Sequence, residues 1–193
     1  MKRKIQAVLM AIFLLAVIHD FNRSCASAGG IPLSAYAGKF VVSAQGSVTY
    51  CFTADFSAQE SCSTVGAVAS EANVVIVSEE TVDASGNSCA TVTSTVSFPF
   101  STFAPTVTSF NSVTKLTDYL PGKAIGDNSF TDYLGGSCVG ATFNNTGATA
   151  FETGTTHFVG SKGSNQVNAV LTALTNPLGS IGPFNIAYSA QRQ

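Results

Sequence analysis

Cysteine is the residue type whose number and spacing say most about the chemistry of this chain. The sequence has five cysteines, and Cys25 falls in a predicted leader, which leaves Cys51, Cys62, Cys89 and Cys138. An even number of cysteines in an exported chain favours disulfides. Three pairings are possible. We favour Cys51–Cys62 with Cys89–Cys138, because the short loop between the first pair costs little entropy to close.

The same cysteines lack the pattern of a metal site or a nucleophile. No Cys-x-x-Cys pair occurs, and beyond the leader the only histidine is His157, so no metal site is predicted. Residues 136–140 superficially have the Gly-x-Cys-x-Gly form of a nucleophile elbow, but such an elbow needs a helix after it, and no helical periodicity follows. We therefore expect Cys138 to be in a disulfide.

Acid–base candidates are few. His157 is flanked by Thr156 and Phe158 in a predicted strand, where a structural or solvated role is the simpler interpretation. Inside a dry cavity, His157 or a tyrosine could act as the acid of an isomerase or cyclase, and carboxyls from distant strands could form a hydrolytic pair. Glu79 and Glu80 adjoin a predicted turn, and we expect both to be solvated.

A short repeat offers a second candidate site. Thr-Asp-Tyr-Leu at 117–120 recurs at 131–134. The simpler interpretation is two strand ends that finish in similar turns. The functional interpretation places Tyr119, Tyr133 and the two aspartates around one barrel mouth, where they could contact a ligand or a cation. No calcium-loop spacing, Walker loop, dinucleotide fingerprint or His-Glu-x-x-His motif occurs, so the sequence predicts no cofactor.

The first residues predict export. A basic run at 2–4, an apolar run at 5–18 and small residues at 26–28 have the pattern of a bacterial secretory signal. We predict a signal peptide over 1–28 and one domain over 29–193, located in the periplasm or secreted. The apolar run is shorter than the ~20 residues of a membrane span, so we expect no membrane association after cleavage.

Composition limits the class of partner. Charged residues make up 10% of the chain, with 9 Lys+Arg and 11 Asp+Glu, which is too little positive charge to bind a phosphate backbone. Hydrophobic residues make up 45%, which is enough for a packed core and excludes a disordered acidic chain. Nucleic-acid binding is therefore not predicted.

Alternation of side chains predicts the fold. Between residues 40 and 52 the even positions are apolar or glycine and the odd positions are mostly polar, which is the two-residue period of a half-buried strand. Gly46 interrupts this segment and predicts a bulge or bend. Strand patterns follow at 65–78 and 90–100, on either side of the turn-forming residues 83–87.

These segments predict an all-β chain of about eight to ten antiparallel strands in one up-and-down β-barrel, with a β-sandwich as the alternative. The last strand, near 182–190, has an alternation similar to that of 38–44, so the two could pair and close the barrel. Residues 137–144 are predicted as one strand. Residues 167–174 also fit helical spacing and are ambiguous.

Three functions fit such a chain, and the sequence favours a non-enzymatic one. The first is binding of a small apolar ligand inside the barrel. The second is a structural or adhesion role at the cell surface, suggested by hydroxyl-rich strands. The third is a small outer-membrane barrel with the alternation inverted. For the first, the predicted cavity-lining residues are Phe40, Val42, Tyr50, Phe98, Tyr119, Tyr133, His157, Phe184 and Tyr188.

The predicted architecture resembles lipocalin-like barrels only in general shape. The chain contains no tryptophan, so the Gly-x-Trp signature of lipocalins is absent. No family is assigned on this basis, and fold analogy alone does not establish a function.

Overall fold

The computed structural model describes residues 32–99, 104–119, 125–160 and 165–193, with the backbone alone at 117–119 and 125. The predicted signal peptide lies outside the described residues. One 3-10 helix, Leu33–Tyr36, precedes the strands. The ten strands are β1 Gly38–Phe52, β2 Val68–Val82, β3 Asn87–Ser97, β4 Thr106–Tyr119, β5 Ile125–Leu134, β6 Ser137–Val139, β7 Thr142–Asn144, β8 Thr149–Gly160, β9 Gln166–Thr175 and β10 Ile181–Arg192.

Eight of these strands form a closed antiparallel barrel in the order β1, β10, β9, β8, β5, β4, β3, β2. Strands adjacent in the barrel are also consecutive in the sequence, with two exceptions. The β6–β7 hairpin is inserted between β5 and β8, and the first strand pairs with the last. The predicted up-and-down barrel is therefore confirmed, and the sandwich alternative is wrong.

Pairing of the first and last strands closes the sheet. The register of β1 with β10 runs from Phe40 opposite Arg192 to Tyr50 opposite Ile181. The similarity of the two terminal strand patterns thus corresponds to a real contact. Closure leaves neither strand with an unpaired edge that could recruit another chain.

The alternation points apolar side chains inward. In β1, Phe40 and Val48 are buried, whereas Val41 between them is 41% exposed. A core cluster of Ala44, Val48, Val74, Leu171, Leu174 and Ile186 fills part of the interior. The outer face of β3 carries exposed threonines, and exposed valines such as Val75 and Val77 are scattered on β2. Apolar side chains inside and mostly polar side chains outside are the reverse of the alternation in a lipid-facing barrel, whose apolar side chains face outward.

Two local expectations are corrected, and one ambiguity is resolved. Residues 137–144 form two short strands, β6 and β7, which pair only with each other outside the barrel. Residues 167–174 lie in β9, because hydrogen bonding to β8 and β10 fixes an extended backbone there. Strand β2 continues past Ser78 to Val82, and the turn follows at residues 83–87, as the sequence predicts.

Gly46 is not at a bulge, since the pairing of β1 with β10 is continuous across it. A β-carbon at this position would lie 1.9 Å from the backbone oxygen of Asn185. The same crowding occurs at Gly154, where a β-carbon would lie 2.4 Å from the Phe130 ring. Both glycines therefore permit a close approach inside the barrel.

Two disulfides join parts of the chain that the sheet alone does not hold together. Cys51 and Cys62, with Cα atoms 5.1 Å apart, tie the β1–β2 connection to the end of β1. Cys89 and Cys138, with Cα atoms 5.6 Å apart, fasten the β6–β7 hairpin to β3. These are the two pairs that the sequence favours.

We expect Gly46→Ala to lower the free energy of unfolding by about 1 to 3 kcal/mol, the usual cost of overpacking a core. The added methyl group would displace the β10 backbone at Asn185. Urea denaturation followed by circular dichroism measures the change. The control is Ser43→Thr on the exposed face of the same strand, which should change stability by less than about 0.5 kcal/mol. Equal stability of the two variants would contradict the role given to Gly46.

Candidate functional site

Two cavities lie inside the part of the barrel that the structure describes. We call the one near the β1–β2 connection the large cavity, with a volume of about 610 Å³, and the one near the 3-10 helix the small cavity, of about 170 Å³. The residues that line both, and so form the partition between them, are Ile76, Phe110, Phe130, Asp132 and Tyr188.

The walls of the large cavity are mainly aromatic and aliphatic. Phe110 of β4 and Phe151 of β8 pack edge to face, with ring centroids 5.2 Å apart. Phe98 contacts Tyr50 at a centroid distance of 6.1 Å. Further apolar lining comes from Val48, Val74, Val96, Leu171, Leu174 and Ile186. Such a surface favours an apolar ligand.

Residues 53–61, which we call the lid, contribute to the wall of this cavity through Phe56 to Gln59. Phe56 has a φ of 59° and its ring lies 5.8 Å from that of Phe52. Gln59 accepts a hydrogen bond from the hydroxyl of Ser180 at 3.0 Å. The lid begins directly after β1, and its end is tied back to that strand. The Glu60 amide donates a hydrogen bond to the Cys51 carbonyl, and the disulfide joins Cys51 to Cys62.

Two carboxyls meet at the inner end of the large cavity. Asp132 of β5 and Glu152 of β8 are register partners on adjacent strands, and both line this cavity. Asp132 is only 5% exposed, and its Oδ1 atom is buried without a hydrogen-bond partner among the described residues. An unsatisfied buried oxygen is costly and points to a role for this group.

A β-bulge shapes this part of the site. Between Asp132 and Tyr133, the partner positions on β8 move from Glu152 to Ala150, so Phe151 is the extra residue. A regular strand would turn Phe151 and Glu152 to opposite faces, but here both line the large cavity. The bulge thus places an aromatic wall beside the carboxyl pair.

Burial controls the ionisation of this cluster. Burial raises the pKa of Asp132 to about 7, although a hydrogen bond from Ser112 lowers it in part. Burial, and then the negative charge of Asp132, raise the pKa of Glu152 to about 8. Burial and the Glu152 charge raise the pKa of Tyr50 to about 12. The pKa of Tyr188 is raised by burial and by both carboxyls.

Several polar side chains that line the small cavity form hydrogen bonds with one another. Glu80 accepts a hydrogen bond from Ser88, and burial raises the pKa of its carboxyl. The hydroxyl of Thr156 bonds to Asn128. Tyr36 packs edge to face on Phe158, at 5.8 Å, and so places the 3-10 helix at this end of the barrel. The expectation that Glu80 is solvated is therefore wrong, because β2 extends far enough to turn it inward.

The structure brings six of the predicted lining residues into the interior. Phe40 and Val42 line the small cavity, Tyr50 and Phe98 the large one, and Tyr188 both. Phe184 packs against the core cluster without lining either.

Two predicted lining residues face outward instead. His157 Nδ1 bonds to Asp127 Oδ1 at 2.6 Å on the outer surface, where the His157 side chain is 44% exposed. Tyr133 stacks on Phe143 of the external hairpin, at 4.7 Å. Both occupy odd positions of their strands, which alternate away from the interior. The side chain of Tyr119 lies outside the described residues.

The shared barrel mouth predicted from the repeat is also wrong. The first copy is at the end of β4 and the second at the end of β5. Adjacent antiparallel strands finish at opposite ends of a barrel, so the copies are separated by its length.

The carboxyl pair is the feature that sequence reasoning missed. Asp132 is two residues after the inward-facing Phe130 in β5. Glu152 is an even number of residues before the inward-facing Thr156 and Phe158 in β8. Alternation could therefore place both inside, whereas the repeat alone suggests a turn for Asp132 and no sequence motif includes Glu152.

Comparison with known proteins assigns the chain to no family. No family model, curated protein or solved structure matches the chain. Within the described ranges, no three His, Cys, Asp or Glu side chains converge as a metal site would require. No helix in that part of the chain is long and apolar enough to cross a membrane.

The carboxyl pair predicts that stability falls as the pH rises. Asp132 and Glu152 ionise near 3.8 and 4.5 in the unfolded chain but at about 7 and 8 in the barrel. The folded state binds more protons between these limits, so the free energy of unfolding decreases with pH, by about 1.4 kcal/mol per pH unit for each proton. We expect urea denaturation at pH 5 and pH 8 to show a larger loss of stability in the wild-type protein than in the Asp132→Asn/Glu152→Gln variant.

The matched control is Glu79→Gln, which removes an exposed carboxyl and should leave the pH dependence unchanged. Glu80 is present in every variant and contributes equally to all. Parallel pH profiles for the wild-type protein and the double variant would show that the pair is not buried as described.

Proposed function

We propose that this chain is an exported protein that binds a small apolar ligand inside its barrel. The observation that carries the proposal is the large cavity, whose volume of about 610 Å³ falls within the ~300–1,000 Å³ range of small-molecule sites. Its walls are mainly apolar, with the two carboxyls at one end and further polar side chains such as Ser94, Thr108 and Asn176 elsewhere. A mainly apolar lining with a small number of polar groups is usual for such sites.

The closed barrel and the lid disulfide support binding at a preformed site. Continuous strand pairing surrounds it, and the Cys51–Cys62 disulfide fixes the lid beside it. A rigid site loses less conformational entropy when the ligand binds. The aromatic pair Phe110 and Phe151 offers flat surfaces against which a ring or chain could pack.

Export is the second part of the proposal. Two disulfides in a chain of this size are typical of proteins that fold in an oxidising compartment. The sequence of residues 1–28 has the pattern of a cleaved signal peptide. Together they support a periplasmic or secreted location.

Binding is better supported than catalysis. The histidine considered as an acid lies on the outer surface beside Asp127. Of the described residues that line either cavity, none is a histidine or a cysteine. No imidazole base or thiol nucleophile of a catalytic triad is therefore among the described residues that line the cavities.

A cavity-filling variant tests the proposal. We expect the neutral fluorescent probe prodan to bind saturably, with a blue-shifted emission. Leu174→Phe, which enlarges a residue that lines only the large cavity, should weaken binding by about tenfold or more, equivalent to ~1.4 kcal/mol.

The matched control is Val170→Phe, which adds an aromatic ring on the outer face of the same strand, where Val170 is 51% exposed. This variant should bind prodan as the wild-type protein does. Circular dichroism checks that both variants fold. The absence of saturable binding to the wild-type protein would refute the proposal.

A further inference from the structure

We propose that the ligand of the large cavity is an apolar amine, whose ammonium group binds at the Asp132 and Glu152 carboxyls while its apolar part occupies the aromatic walls. This inference rests on the proposed function and specifies the chemical class of the ligand. It depends on one unsatisfied atom, on the charges around that atom and on the shape of the cavity behind it.

The unsatisfied atom is Asp132 Oδ1. It is buried without a hydrogen-bond partner among the described residues, at the partition that lines the large cavity. The oxygens of an ionised carboxylate only accept hydrogen bonds, so the missing partner of that form is a donor. A ligand that brings an N–H or O–H group to this position would remove the cost of the unpaired oxygen.

The charges favour a cationic donor. Two carboxyls lie side by side, yet no described residue that lines either cavity is Lys, Arg or His. Arg192, at the far end of β10, donates to the Ala35 carbonyl at 2.6 Å and lies over the Phe40 ring. The pair thus has no counter-charge in the described interior, and buried charges are stable only when they are paired.

The tyrosines complete the polar group. Tyr50 and Tyr188 line the large cavity and interact electrostatically with the carboxyls. An ammonium has three donors, and the two carboxyls and two phenol oxygens supply acceptors for all of them. A carboxylate ligand would be repelled by the same groups, and an alcohol could satisfy only one acceptor.

The apolar part of the ligand has a defined place. The ring pair Phe110 and Phe151 adjoins Glu152 through the bulge in β8. Leu171, Leu174 and Ile186 extend the apolar wall. A ligand with its charged head at the carboxyl pair would therefore place its chain or ring in the main volume of the cavity.

Protonation links binding to pH. Because burial raises the pKa of Asp132 to about 7 and of Glu152 to about 8, the empty pair holds at least part of a proton near neutrality. A bound ammonium favours the ionised carboxyls and lowers both pKa values. Amine binding at pH 7 must then release protons, whereas binding of a neutral alcohol need not. Among the described residues, the other titratable groups that line a cavity with one of these carboxyls are Tyr50, Tyr188 and, in the small cavity with Asp132, Glu80.

Titration calorimetry with three ligands of equal chain length tests the inference. At pH 7, octylamine should bind at least about tenfold more tightly than 1-octanol, since a charge-assisted hydrogen bond contributes ~1.5 kcal/mol or more. Octanoate should bind most weakly. In buffers of different ionisation enthalpy, octylamine alone should show proton release.

The variant Asp132→Asn/Glu152→Gln should lose the preference for octylamine over 1-octanol and the proton release, while its affinity for 1-octanol stays within about threefold of the wild-type value. Glu79→Gln, which removes an exposed carboxyl, should keep both properties. The buffer comparison on the wild-type protein keeps the inference testable if the double variant fails to fold.

Equal affinity for octylamine and 1-octanol, or octylamine binding without proton release, would overturn the inference and leave the apolar-ligand proposal intact. Tighter binding of octanoate would show that the pair acts as a protonated donor to an anion and would also overturn it. Failure of all three ligands and of prodan to bind would refute the proposed function itself.

Discussion

The pairing of β1 with β10 is the constraint on which the rest of this structure depends. Without it, the sheet would leave two long edges exposed and its apolar face open to water. With it, the inward side chains of eight strands face one another, and they do not fill all the space between them. Closure therefore creates both the core and the cavity, which share residues such as Val48, Leu171 and Ile186.

Closure also determines the chemistry inside. A carboxyl on an open sheet would be hydrated and would ionise near its ordinary pKa. Asp132 and Glu152 share the closed interior with aromatic and aliphatic groups, so the charged form of each is disfavoured and the pKa of each rises. The β8 bulge adds Phe151 to the same face. One irregular residue thus places a ring against a polar pair that regular alternation would keep separate.

The sequence predicts the fold better than the site, for a physical reason. Alternation is repeated over many residues, so errors in single positions do not change the prediction of a barrel or of its closure. A site depends on single side chains. Residue type predicts an interior position for His157 and Tyr133, but their odd positions turn them outward, to Asp127 and Phe143. The sequence predicts a solvated Glu80 because its pattern ends β2 four residues before the strand ends in the structure. The bulge at Phe151 leaves no clear sequence signal at all.

The carboxyl pair lowers the stability of the barrel that contains it, and this is an argument for its function. Two apolar side chains of similar size could fill the same space without a desolvation penalty. The lid disulfide and the hairpin disulfide each stabilise the fold by ~2–4 kcal/mol through restriction of the unfolded chain, enough to offset such a penalty. A buried acid with an unsatisfied oxygen, beside an unfilled cavity, breaks the local rules that the other strands follow. Departures of this kind are expected where binding, rather than folding, determines the residue.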